Sequence, residues 1–150
     1  MQHKKTLFFD ASVWGGYYDD VFTEDTRKLF HDVKSGMYSV IVSDLVIEEL
    51  ENAPQKIKDL LKEIKHRLVE VTDECKSLAD EYIKEKVVGE TNKNDCNHIS
   101  TATINNIDYL VSWNFKHIVN VGRIDGYNSV NMRNGYKCLE IRSPREFRYI

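Results

Sequence analysis

Four oxygen-bearing side chains stand at comparable places in this sequence: Asp10, Glu49, Asp95 and Asn114. Asp10 ends the apolar run Thr6-Leu7-Phe8-Phe9. Glu49 lies in Ser43-Asp44-Leu45-Val46-Ile47-Glu48-Glu49-Leu50, just after Tyr38-Ser39-Val40-Ile41-Val42. Asn114 follows Asp108-Tyr109-Leu110-Val111-Ser112, and Asp95 opens the helical stretch that leads into that run. An unpaired buried carboxylate is costly, so an acid delivered by an apolar strand must be exposed, hydrogen-bonded or bound to a cation. Acids that converge repel one another, and either some take up protons or a cation joins them. An all-oxygen set with no His/Cys cluster selects a hard cation, Mg²⁺ or Mn²⁺, over zinc. Such a cation binds phosphate oxygens and stabilises the charge that builds in phosphodiester cleavage. It also makes an acidic pocket attractive to an anion.

Taken singly, the same residues have plainer roles. Asp10 can cap the turn after its strand. Glu49 can be a solvated helix residue, with Glu48 and Glu51 as competitors for its place. Asp95 complements a helix dipole, and Asn114 caps a turn. What sets the four apart is their arrival at one edge from four separate parts of the chain.

That edge depends on the elements around it. The first strand is Thr6–Phe9. A helix starts at Thr23 or Glu24 and runs through Val33, with Gly36 just past its end. The strand Tyr38–Val42 is followed by Ser43 as a helix cap and a helix from about Leu45 to Glu51, which stops before Pro54. Ile57, Leu60, Leu61, Ile64 and Leu68 recur at helical spacing and predict a helix from Gln55 to about Arg67. Leu68–Val71 reads as a strand, then Asp73 caps a long helix that Gly89 ends. After the polar loop Glu90–Lys93, a helix from about Asn94 precedes the last parallel strand, Asp108–Ser112. The tail holds a turn at Asn134-Gly135, a strand Tyr136–Ile141 and the end piece Ser143–Phe147. Short apolar strands alternating with helices predict a parallel sheet covered on both faces. In such sheets chemistry collects beyond the carboxyl ends of the strands.

At 150 residues with 41% hydrophobic and 30% charged residues, the chain reads as a single soluble domain over 1–150. Its apolar runs are far shorter than a membrane span or a signal peptide needs, so the expectation is a cytoplasmic protein with no membrane association. Cys75, Cys96 and Cys138 are isolated, which argues against a zinc site or a disulfide framework and suits a reducing compartment. The net charge of −3 argues against a general nucleic-acid coat protein. Any phosphate-facing surface must be local, or be created by a metal.

Four motifs carry a family resemblance that spans nearly the whole chain. They are Leu7-Phe8-Phe9-Asp10-Ala11-Ser12; Val42-Ser43 with Glu49-Leu50; Asp95-Cys96-Asn97-His98-Ile99-Ser100-Thr101-Ala102; and Leu110-Val111-Ser112-Trp113-Asn114-Phe115-Lys116-His117. The last two resemble a D-x-x-H-I-A-x-A helix and an L-V-T-W-N-x-K-H segment. Together they resemble the PIN-domain proteins found as toxins in VapBC toxin–antitoxin pairs. The resemblance implies an α/β fold, a PIN-like three-layer α/β/α sandwich with a central, mainly parallel sheet. It implies a divalent-metal ribonuclease using Mg²⁺ or Mn²⁺, with Asp10, Glu49 and Asp95 as metal ligands and Asn114 as the fourth site residue, where many members have an Asp. An amide ligates without adding charge, so a second metal would be held more weakly. Ser12 and Ser112 support the site through hydrogen bonds, and Ser100 stands where the family usually has Ala.

The remaining expectations follow from that reading. The substrate is RNA in single-stranded or loop form, whose backbone can bend into a crevice. Cleavage leaves a 5′-phosphate and a 3′-hydroxyl. A cognate antitoxin docks on the helix-rich segment 23–67, and the protein forms a homodimer. His117 and Lys116 are candidate substrate contacts. His98 makes a structural hydrogen bond, Trp113 packs in the core or rim, and Arg123 and Arg133 are solvated. An aspartyl-phosphate enzyme with Asp10 as nucleophile is the rival chemistry, but the second Asp such enzymes carry two residues later is Ser12 here. A PIN-like scaffold that binds RNA or protein without cutting is the non-enzymatic alternative.

Overall fold

A computed structural model describes residues 4–149, with side chains to residue 147. Five strands form one parallel sheet in the order β3-β2-β1-β4-β5. They are β1 (Lys5–Phe9), β2 (Tyr38–Ser43), β3 (His66–Val69), β4 (Tyr109–Val111) and β5 (Glu140–Arg142). β1 is central, with Leu7 level with Val40 on one side and with Tyr109 on the other. The apolar residues of β1, β2 and β4 are buried because helices cover the sheet, which is why these strands do not alternate.

Seven α-helices flank it: α1 (Ala11–Gly16), α2 (Thr23–Lys34), α3 (Asp44–Glu49), α4 (Gln55–Glu63), α5 (Asp73–Lys84), α6 (Lys93–Ile104) and α7 (Val121–Arg133). α1 packs on α2 and α4, while α5 packs on α6 and α7, giving two helical layers about the sheet. The expected three-layer α/β/α sandwich is the architecture found.

The order of the strands matters for function. The chain leaves β1 toward β2 on one side, and enters β4 on the other. The carboxyl ends of β1 and β4 therefore border a topological switch point, where doubly wound sheets open a crevice.

Five assignments differ from the sequence reading. α5 is capped by Thr72 rather than Asp73, with Thr72 Oγ1 accepting from the Cys75 amide at 3.3 Å, and it ends at Lys84, short of Gly89. α1 is a helix of its own, capped by the Asp10 side chain, where only a turn was expected. α7 was not anticipated, because Gly122 and Gly126 lower its helix propensity. Its Asn120 cap accepts from the Arg123 amide at 3.2 Å, and a Cβ on Gly126 would meet Val87 Cγ1 at 2.8 Å. β4 is not the last parallel strand: β5 pairs parallel to it, and only Glu140–Arg142 of the expected Tyr136–Ile141 strand is in the sheet. α4 ends at Glu63, and β3 begins at His66, two residues before the expected start.

One packing detail bears on the site. Gly16 sits against the Trp113 ring, and a Cβ there would lie 2.7 Å from Trp113 Nε1 and 2.8 Å from Cδ1. Neither ring nor backbone can yield, because Trp113 Nε1 donates to Thr26 Oγ1 at 2.9 Å and Phe22 stacks on the ring at 4.2 Å. Gly16→Ala is expected to destabilise the fold by about 2 kcal/mol through overpacking, lowering the melting temperature by roughly 4–8 °C in a thermal melt.

Candidate active site

Asp10 leaves the end of β1 and is 5% exposed. Its Oδ1 accepts from Ser12 Oγ at 2.5 Å and from the Val13 amide at 3.3 Å, so it also caps α1. Ser12 ties this acid to the end of β4: its Oγ accepts from the Trp113 amide at 2.9 Å and lies 3.4 Å from Ser112 Oγ. Ser112 Oγ in turn accepts from the Asn114 amide at 2.9 Å. The two serines thus hold the ends of β1 and β4 together.

Asn114 shapes the next turn. Its Oδ1 accepts from the Lys116 and His117 amides at 3.2 and 3.0 Å, and its Nδ2 donates to Asp95 Oδ2 at 3.3 Å. Asp95 lies in the first turn of α6, half-buried. Ser43 ends β2 and caps α3, accepting from the Val46 amide at 3.2 Å, and α3 delivers Glu49 at its last position. Glu49 Oε1 lies 2.8 Å from His98 Nε2, and this contact brings Glu49 to the site.

His98, one turn after Asp95, is 2% exposed and makes the hydrogen bond expected of it. Burial alone would lower its pKa. The hydrogen bond and charge of Glu49, with the charges of Asp10 and Asp95, outweigh that and raise it. One imidazole thus feels all three carboxylates. Burial pushes the Asp10 carboxyl up, against the opposing pull of His98, Ser112, Ser12 and Val13. Burial does the same to Asp95; His98, His117 and the Asn114 hydrogen bond oppose it, and Glu49 adds to it.

A buried and a half-buried acid whose charge is disfavoured, with a third in electrostatic reach, form a donor set that suits a hard cation. The set is not drawn tight. Among the described residues, no three His, Cys, Asp or Glu side chains form a ready metal cage. His98 holds Glu49 Oε1 at 2.8 Å, so a cation shared by the three acids would compete with the imidazole for Glu49.

His117 and Lys116 follow Asn114 in the same turn. The His117 carbonyl accepts from Tyr127 Oη at 2.8 Å, and His117 Nδ1 is buried without a partner among the described residues. Two expectations need amending. Arg123 is not merely solvated, since its Nη1 donates to the Val87 carbonyl. Trp113 packs as expected, but the Gly16 and Thr26 contacts that clamp it were not legible, because they join residues about 90 positions apart. A separate cleft lies elsewhere. It measures about 810 Å³ and opens at the amino ends of β1–β3, lined by Lys4, Lys34, His66 and Arg67 among others. Its one acid, Glu63, is paired with Lys34 at 2.8 Å, so the acidic chemistry belongs to the other edge.

A family model for the PIN domain matches residues 7–116. The chain belongs to the PIN-domain family. The match runs from Leu7, within β1, to Lys116 and takes in Asp10, Glu49, Asp95 and Asn114. No curated protein sequence matches the chain. Among solved structures, VapBC2 from Rickettsia felis bound to a DNA fragment from its promoter is similar with a TM-score of 0.58 at 14% identity, covering 92% of this chain and 98% of that one. VapC20 of Mycobacterium tuberculosis, a Sarcin-Ricin loop cleaving toxin, is similar at 0.57 and 16%, covering 73% and 91%. FitAcB from Neisseria gonorrhoeae is similar at 0.57 and 11%, covering 92% and 97%. At these identities the likeness is one of fold. Among the described residues, no helix of this PIN-domain chain is long and apolar enough to cross a membrane.

Asn114, which donates to Asp95 at 3.3 Å, gives a test. Asn114→Asp replaces the Nδ2 donor to Asp95 with a like charge. The metal-free variant is expected to melt about 2–6 °C below wild type, and Mn²⁺ is expected to close the gap. Paired melts with EDTA and with Mn²⁺ measure both.

Proposed function

We propose that this PIN-domain protein is a divalent-metal-dependent ribonuclease and the toxin of a type II toxin–antitoxin pair. The observation that carries the reading is the joint placement of Asp10, Glu49, Asp95 and Asn114 at the switch point, tied together by Ser12, Ser112 and His98. The similar fold of an RNA-cleaving toxin adds support.

Mg²⁺ or Mn²⁺, held by Asp10, Glu49 and Asp95, would supply Lewis acidity and charge neutralisation at the scissile phosphate. The chain's own residues do the rest. Ser12 and the Val13 amide fix the Asp10 carboxylate. His98 keeps Glu49 at the edge until the cation draws it away, and Asn114 orients Asp95. A carboxylate of the set takes the proton from an attacking water. The water oxygen joins phosphorus as the P–O3′ bond breaks, leaving a 5′-phosphate and a 3′-hydroxyl. Lys116 and His117, on the turn built by Asn114, contact the substrate phosphate.

A cognate antitoxin restrains the enzyme by docking on the helices of segment 23–67, and the toxin is a homodimer. The similarity to VapBC2 supports an antitoxin partner. The test is cleavage of an RNA pool with Mg²⁺ or Mn²⁺. Wild type is expected to cut, and Asp10→Asn and Asp95→Asn are not. Wild type as inert as both variants, across metals and substrates, would leave the chain a non-cutting PIN scaffold.

A further inference from the structure

Beside the acidic edge stands an aromatic group that the reaction does not use. Phe115 follows Asn114 and is 45% exposed, unusual for a ring with an apolar cluster at hand. Its centroid lies 5.9 Å from Trp113 and 6.5 Å from Phe22. Those two are stacked on each other at 4.2 Å, and the Arg145 guanidinium lies 5.7 Å from the Trp113 centroid. Everything beneath Phe115 is fixed. Trp113 is wedged against Gly16 and bonded to Thr26, and the turn is closed by the Val119 amide donating to the Asn114 carbonyl at 2.8 Å. A rigid, half-open ring one residue from a site side chain, with Lys116 exposed beside it, has the two parts of a single-strand binding surface: a stacking face and a cation for the backbone.

We infer that Phe115 is a nucleobase-stacking residue, holding one base of single-stranded RNA against the rim formed with Phe22 and Trp113. The inference rests on the nuclease reading and names how that site grips its substrate. Stacking uses the π-face that every base has, so Phe115 contributes grip and register and leaves base identity to other contacts. It places the base beside Asn114, and so sets which phosphate meets the carboxylates.

The test is fluorescence anisotropy with a labelled single-stranded RNA oligonucleotide in EDTA, where the probe is not consumed. Phe115→Ala is expected to bind roughly 5- to 100-fold more weakly than wild type, and Phe115→Trp to bind as wild type does. The side chain is exposed, and thermal melts of each variant check that the fold is kept. A series of probes with a single abasic site walked along the strand adds the decisive comparison. At one position the difference between wild type and Phe115→Ala is expected to vanish, which loss of a structural contact would not produce. Equal affinity of wild type and Phe115→Ala, the same loss with every abasic probe, or no binding by wild type overturns the inference. Equal affinity would leave the exposed ring to a protein partner. Cleavage by the same preparations with Mn²⁺ reports separately: binding without cutting counts against the nuclease reading, not against stacking.

Discussion

Asp10→Asn is expected to abolish metal-dependent RNA cleavage and, in the same protein, to raise the stability of the metal-free fold. The two effects share a cause. Burial raises the Asp10 pKa, so the folded chain holds this proton more tightly than the unfolded chain does. Such a group favours folding at acid pH, and the benefit is lost as pH rises through the raised value. Wherever this carboxylate is ionised in the fold its charge is therefore a cost, which the serine and amide contacts reduce without removing. Asparagine keeps an acceptor for Ser12 Oγ and the Val13 amide and carries no charge. A gain of about 1 kcal/mol, or roughly 3 °C in a melt in EDTA, is expected near neutral pH. The acid-to-neutral fall in melting temperature should also flatten. Cleavage should drop by on the order of 10³-fold or more, since the loss removes a cation ligand rather than a contact to the substrate. A variant that melts below wild type would show that the charge is already satisfied without metal.

The placement of Asp10 was legible because an acid directly after an apolar run has few places to go. Glu49 and Asp95 were legible by the same logic applied to β2 and α6. What the sequence hid is long-range or weakly patterned. α7 carries two glycines, one of them required by Val87 in the segment that joins α5 to α6. α1 is only six residues long and ends in Gly15-Gly16, so no periodicity announces it. β5 contributes three residues, too few to fix a strand's limits. The looseness of the carboxylate set was also beyond reach, since it follows from His98 claiming Glu49 across 49 positions of sequence. Spacing located the edge and not the distances across it.

The second large effect belongs to His98. His98→Ala removes a side chain with 2% exposure that bonds Glu49 and packs on Phe8 at 5.9 Å. It leaves a cavity and takes from the acids their shared counter-charge. A loss of about 3 kcal/mol is expected, or roughly 6–12 °C in melting temperature. Glu49→Gln should cost less, because the Glu49 side chain retains 27% exposure and its charge is partly hydrated. The pH dependence has a defined sign. Although burial opposes it, the folded-state pKa of His98 is raised above its ordinary 6.5 by Glu49, Asp10 and Asp95. The pair's contribution is present in full below about that value and is lost as pH rises through the raised one. The gap between wild type and His98→Ala in EDTA should therefore narrow toward alkaline pH. A gap constant with pH would mean that His98 acts only by filling space.

These effects converge on one claim, that Asp10, Glu49 and Asp95 share a single hard cation once Glu49 turns from His98. A crystal grown with Mn²⁺ and read by anomalous scattering tests it most directly. The expected result is one strong peak within coordination distance of all three carboxylates, with Glu49 released from the imidazole. A protein that cuts RNA with Mn²⁺ yet shows no peak among these acids, or places it at another group of residues, would contradict the claim.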